Sequence, residues 1–178
     1  MNVLLLGPPG VGNTHLAIAL GREAVLAGYS VQFTTMMALV AGLAKAQAEE
    51  RLDEKLMAPA EPKLLIIHEL GYLPLEPDAA HLLFQLVSRR YETGAILITS
   101  NWSVAEWGTV FADPVVATAI LDRLLDHSHV LTIRGDSYRL RAKCKSGLIT
   151  APAGDGAPVG SASLHVATGE EHQPTQST

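Results

Sequence analysis

The sequence contains one cysteine, Cys144, so no internal disulfide holds the fold together. Aromatic residues make up only 5% of the chain, which leaves the core to Leu, Val, Ile and Ala. Long hydrophobic runs are missing too, and the longest falls well below the roughly 18–20 residues that a membrane-spanning helix needs. No basic-then-apolar leader opens the chain; Met1 runs almost directly into Val3-Leu4-Leu5-Leu6. Positive charge is also scarce. The net charge is −5, which lacks the excess that advertises nucleic-acid binding. Together these absences predict a cytoplasmic protein with no membrane partner. Its 178 residues are enough for one domain with a real core.

The charge that is present is unevenly placed. Three acids and no base fall after residue 149, whereas Arg134, Arg139, Arg141, Lys143 and Lys145 crowd into one short segment. From Thr150 onward Ala, Gly, Pro, Ser and Thr dominate and hydrophobic periodicity stops. Residues 1–149 therefore read as one folded domain and 150–178 as a disordered tail.

Within the domain, strand and helix patterns alternate. Continuous apolar runs at Val3–Leu6, Lys63–His68 and Ala95–Thr99 read as strands buried on both faces, with further strands at 31–34 and 129–133. Helical patterns cover Asn13–Leu26, stopped by Gly28; 36 to 57 as one or two helices, ended by Pro59 and Pro62; 78 to 92; and Pro114 to Leu125, capped by Asp113. Tyr138–Lys143 fits a paired strand or a short helix. Alternation of this kind predicts an α/β fold, a parallel sheet flanked by helices on both faces.

Between the first strand and the first helix lies Gly7-Pro8-Pro9-Gly10-Val11-Gly12-Asn13-Thr14, followed by His15. Strand, glycine-rich loop and helix form the context of a phosphate-binding loop. The glycines let backbone N–H groups converge, and the helix terminus adds positive dipole. Thr14 is placed to give a hydroxyl to Mg²⁺. Asn13, however, stands where the G-x-x-x-x-G-K-[ST] pattern has lysine. It brings no charge to the β- and γ-phosphates and offers at best a hydrogen bond.

The strand Leu64-Leu65-Ile66-Ile67 ends in His68-Glu69. P-loop ATPases end this strand in Asp-Glu, the Asp holding Mg²⁺ and the Glu polarising the attacking water. Here Glu69 keeps the second role and His68 replaces the first. Imidazole suits Mg²⁺ poorly, so His68 reads either as a buried histidine with a hydrogen-bond partner or as half of a transition-metal site with His15. Thr99-Ser100-Asn101 end the next strand, where a polar side chain can orient water beside the γ-phosphate. Arg123 is a candidate finger toward a neighbouring subunit's phosphates, or an ion-pair partner of Asp122 or Asp126. Arg139 is a candidate phosphate contact within its own subunit. His127 and His129 read as surface residues, and Arg134-Gly135-Asp136 as a chance tripeptide.

Five stretches in combination resemble the IstB family, the ATPase helpers of insertion-sequence transposition, which are related to the DnaC and DnaI helicase loaders in the AAA+ class. They are GPPGVGNTHLAIALG from Gly7 to Gly21, LLIIHELGYLPL from Leu64 to Leu75, LLFQLVSRRY from Leu82 to Tyr91, Ile98 to Asn101 with Glu106-Trp107, and Ala117 to Leu125 continuing to Ser137-Tyr138-Arg139-Leu140-Arg141. The resemblance covers roughly residues 2–149. It implies a P-loop NTPase AAA+ core, ATP with Mg²⁺, and ATP-dependent homo-oligomers on DNA beside a transposase. It also implies Asn101 as first sensor, Arg123 as finger and Arg139 as second sensor.

The departures carry equal weight. The family has Lys at position 13, Asp at position 68 and a helical region before the glycine loop, and its end does not resemble this tail. The sequence reading is therefore an ATP-binding helper of transposition with impaired hydrolysis, from a decaying insertion-sequence copy. A pseudo-ATPase acting only by contacts and a DnaC-like replicative helicase loader are the alternatives. Gly71-Tyr72-Leu73-Pro74 with Glu106-Trp107 favours the transposition branch over the loader.

Overall fold

A computed structural model describes residues 1–71, 75–111, 113–138 and 163–168. Six strands form one sheet: β1 (Asn2–Leu6), β2 (Val31–Thr35), β3 (Leu64–Leu70), β4 (Ala95–Ser100), β5 (Ser128–Arg134) and β6 (Ser163–Thr168). Their order is β2-β3-β4-β1-β5-β6, parallel except for β6. The connections are α1 (Asn13–Leu26), α2 (Met36–Ala48), α3 (Leu52–Ala60), α4 (Pro77–Arg90), α5 (Trp107–Val110) and α6 (Pro114–Leu125).

Two apolar clusters show why β1, β3 and β4 read as continuous runs. One face carries Leu4, Leu6, Leu65, Ile67, Ile96 and Ile98 against α2, α4 and α6. The other carries Leu5, Ile66 and Leu97 against Ala17 of α1. Alternate residues thus feed opposite faces, and neither face tolerates a polar break. The helix α1 approaches closely because Gly21 faces the sheet; a Cβ there would lie 2.7 Å from Ile66 Cδ1. It ends where Gly28 takes φ 87° and Tyr29 N donates to Ala24 O, which satisfies a terminal carbonyl.

Three expectations change. Pro59 does not end the helical region but lies inside α3, buried, one residue before its last. A final-turn proline forfeits only its own N–H bond. Residues 163–168 fall in the stretch read as disordered, yet they pair antiparallel with β5 from Arg134↔Ser163 to His129↔Thr168. The outer edge of β5 presents unpaired backbone groups, and that short segment satisfies them. The sheet is accordingly mixed rather than wholly parallel. The boundary expected after residue 149, and Tyr138–Lys143 apart from Tyr138, lie outside the described residues.

Candidate functional site

The carboxyl ends of β1, β3 and β4 open onto one cavity of about 570 Å³. The connection leaving β1 passes β4 on its way to β2 and the one leaving β4 passes β1 on its way to β5, so the loops that follow these neighbouring strands both begin at this end of the sheet. Gly7, Pro8, Pro9, Gly10, Val11, Gly12, Asn13, Thr14, His15, His68, Glu69, Asn101 and Tyr138 all line it.

The loop between β1 and α1 is held by backbone at three points. Gly7 N donates to Ser100 O of β4 at 3.0 Å, Tyr138 N to Gly10 O at 3.0 Å, and Leu16 N to Gly12 O at 3.0 Å. Gly10 and Gly12 have φ of 90° and 113°, a region that L side chains rarely adopt. Gly12 caps α1 without a side chain, and the first turn holds no acid. The first turn of α1 therefore brings no counter-charge of its own to its opening amides, which favours an anion there. Close packing fixes the loop further. A Cβ on Gly7 would lie 2.4 Å from Ile133 O, a backbone atom that cannot swing aside. Gly7→Ala is expected to cost about 2 kcal/mol and lower the melting midpoint by several degrees in a thermal scan.

Asn13 is turned onto the loop itself. Its Nδ2 donates to Gly7 O at 2.9 Å, and its Oδ1 is buried with no partner among the described residues. The one hydrogen bond expected of this amide thus closes residue 13 onto residue 7. No lysine or arginine is among the described residues that line the cavity.

His68 sits between two threonines. Its Nδ1 lies 2.5 Å from Thr99 Oγ1 and its Nε2 lies 3.3 Å from Thr14 Oγ1. Glu69 Oε1 stands 3.5 Å from the same Nε2. Glu69 takes φ 66°, left-handed backbone in a non-glycine residue, and its N–H donates to Thr99 Oγ1 at 3.2 Å. The sheet register shifts here, between Ile67 and Leu70. Phe33 of β2 packs against the imidazole with ring centroids 5.8 Å apart. His68, half-buried, thus has two hydroxyl partners, Thr14 and Thr99. Among the described residues no group of three or more His, Cys, Asp or Glu is placed to hold a metal ion. Nor does the donor set fit Mg²⁺. That ion takes oxygen ligands in near-octahedral geometry, and here the position facing the Thr14 hydroxyl is a ring nitrogen.

The sequence reading named Thr99 only as part of a polar strand end and did not single out Trp102. Thr99 holds both the His68 ring and the Glu69 backbone. The pairing Ile67↔Ile98 sets Thr99 beside His68, a register that the two apolar runs contained. Trp102 donates from Nε1 to Gly71 O at 2.6 Å, and Ser100 Oγ donates to Leu70 O at 2.8 Å. These bonds tie the end of β4 to the chain just after Glu69. Among predicted site residues, Asn101 lies at the cavity, exposed. Arg123 does not. It lies on α6, whose Leu124 O accepts a bond from Asn2 at the opposite end of β1. Its guanidinium donates to Ala119 O at 3.2 Å and stands 4.8 Å over the Phe84 ring. Arg139 lies outside the described residues. No described helix is long and apolar enough to cross a membrane.

Comparison with known proteins agrees with this geometry. The sequence model of the IstB-like ATP binding protein family matches residues 1–146. An ATP-binding protein, so named, of insertion sequence IS21 from Pseudomonas aeruginosa is 54% identical over 84% of this chain and 56% of its own length. Its counterpart of insertion sequence IS5376 from Geobacillus stearothermophilus is 52% identical over 80% of this chain and 57% of its own. The chain thus spans little more than half the length of these curated relatives. Among solved structures, the DnaC helicase loader superposes with a TM-score of 0.58 at 22% identity, covering 68% of this chain and 74% of that one. The shared fold is the AAA+ P-loop core.

Proposed function

The chain belongs to the IstB-like ATP-binding protein family, and we propose that it is an ATP-binding helper of DNA transposition with impaired hydrolysis. One observation carries the nucleotide reading: a glycine loop leads into a helix terminus with no side-chain cap, and both line a cavity about 570 Å³ in volume. That volume lies within the range of pockets for small molecules and cofactors, roughly 300–1,000 Å³. Gly7 through Thr14 would cradle the phosphates with backbone N–H groups. Glu69 would polarise the water that attacks the γ-phosphate, and Asn101 would orient it. Impairment follows from Asn13, whose amide is spent on Gly7 O, and from His68, which displaces an oxygen ligand.

By the same reading, residues 1–149 form the ATP-binding domain, and DNA and a transposase are its partners. Arg123 lies far from its own site, which suits a residue that reaches a neighbouring subunit in an ATP-dependent homo-oligomer. Arg139 would serve as the phosphate contact within the subunit. A pseudo-ATPase that acts only by contacts is the second reading, favoured by the cavity's lack of any lysine or arginine among its described lining residues.

Phosphate release separates the two. Glu69→Gln is expected to lower the residual rate by at least about 100-fold under saturating nucleotide. A parent chain with no measurable release under saturating ATP supports the contact-only reading. A Glu69→Gln rate equal to the parent's removes Glu69 from the chemistry.

A further inference from the structure

We infer that the nucleotide taken by this site arrives with a nitrogen-accepting divalent ion such as Zn²⁺ or Co²⁺ rather than with Mg²⁺, and that His68 Nε2 is the ligand responsible. The inference rests on the nucleotide reading above and specifies its metal. Three observations converge on it.

The first is donor spacing. In a tetrahedral site with metal–ligand bonds of about 2.0–2.2 Å, neighbouring ligand atoms stand about 3.3–3.5 Å apart. Thr14 Oγ1 lies 3.3 Å from His68 Nε2, and Glu69 Oε1 lies 3.5 Å from it. The second is the outer support of the ring. Metal-binding histidines ordinarily donate their other ring N–H to an oxygen, which fixes tautomer and orientation. Thr99 Oγ1 stands 2.5 Å from Nδ1, in place to accept that bond, and with the proton on Nδ1 the Nε2 lone pair is left toward Thr14 and Glu69. Phe33 packs on the ring and limits its rotation. The third is donor type. Imidazole suits Zn²⁺ and Co²⁺, while Mg²⁺ asks for oxygen alone.

The set is incomplete without a ligand. His68 and Glu69 are its only titratable members, and no three-residue metal group exists among the described residues. A phosphate oxygen at the glycine loop would complete it. Metal and nucleotide are then expected to bind together and neither to bind well alone. Glu69, drawn toward the metal, is also less available as a base, which agrees with impaired turnover.

The test uses Co²⁺ and Mg²⁺ with a non-hydrolysable ATP analogue. Calorimetry on the whole chain gives affinities, and the visible ligand-field absorption of Co²⁺ reports its ligands. The expected result is at least tenfold tighter binding of the analogue with Co²⁺ than with Mg²⁺. An absorption band should appear only when chain, metal and analogue are all present. His68→Asp should remove the band and reverse the metal preference, and His15→Ala should change neither; thermal melts of both variants establish that they are folded. Equal affinities with the two metals, a band that survives His68→Asp, or undiminished binding of the analogue in EDTA each overturn the inference and leave the nucleotide reading intact. Failure of the analogue to bind under every condition removes the nucleotide reading and this inference with it.

Discussion

Asn13→Lys combined with His68→Asp is expected to tighten Mg²⁺·ATP binding by about 100-fold over the parent chain. Lysine adds a charge-assisted hydrogen bond to phosphate oxygen, worth about 1.5–3 kcal/mol, and a tenfold change in affinity corresponds to about 1.4 kcal/mol. Aspartate replaces a nitrogen with the oxygen that Mg²⁺ prefers. The exchange at position 13 costs little in the free protein. It removes the bond to Gly7 O, but also a buried Oδ1 with no described partner. Both side chains address the same bound species, so the single substitutions should not add simply. Calorimetry on the parent, the two single variants and the double variant checks this. Equal affinity across the four would mean that the loop backbone and Thr14 alone set binding.

The largest expected loss of stability comes from a residue outside the site. Arg90 is 1% exposed, and its guanidinium donates to Pro59 O, Ala60 O and Ala95 O at 2.9, 3.0 and 2.7 Å. Two of those acceptors are final-turn carbonyls of α3, which have no intrahelical partner. One cation therefore gathers the end of α3 and the start of β4 onto α4. No carboxylate is among these partners, and burial lowers its pKa to about 10, which leaves it charged at neutral pH. Gly94 makes room for it, since a Cβ there would sit 2.6 Å from Nη2. Arg90→Ala takes the guanidinium away from three carbonyls, one buried and two part-buried, and leaves a void beside them. The expected cost is about 3–5 kcal/mol, a fall of roughly 10 °C or more in melting midpoint. Arg90→Lys should recover only part, because one ammonium cannot span all three acceptors. A midpoint within two degrees of the parent for Arg90→Ala would mean that the carbonyls find other partners.

The legible parts of this fold are those whose signal is local. The strands β1, β3 and β4 read as continuous apolar runs because both faces of the sheet are covered, and α1 was legible to the residue from Gly12 at one end and Gly28 at the other. Asp113 announced α6, and its side chain does accept from Val115 N and Val116 N. Signals that depend on partners distant in sequence were not legible. Arg90 lies in a run of polar residues at a helix end, and only packing against α3 buries it. Trp107 and Phe111 are fully buried around the short helix α5, whose four residues are too few to show a period. The segment 163–168 has a tail-like composition and gains its order from the edge of β5. At the site, the sequence yielded the loop, His68, Glu69 and Asn101. The threonine that joins β3 to β4 needed the strand register, and the inward turn of the Asn13 amide needed coordinates.

The central claim is that this loop and cavity hold a nucleoside triphosphate through backbone donors. Calorimetric titration of ATP, with the divalent ion present, into the parent chain and into Gly10→Ala tests it most directly. A Cβ at Gly10 would lie 2.1 Å from Ser137 Oγ on backbone that already has φ 90°, so the cradle cannot keep its shape. The account predicts saturable one-to-one binding by the parent, with a dissociation constant of roughly 10 μM to 1 mM, about −4 to −7 kcal/mol. It also predicts at least a tenfold loss in the folded Gly10→Ala variant. No saturable heat from a folded parent chain, or equal binding by the two proteins, would contradict it.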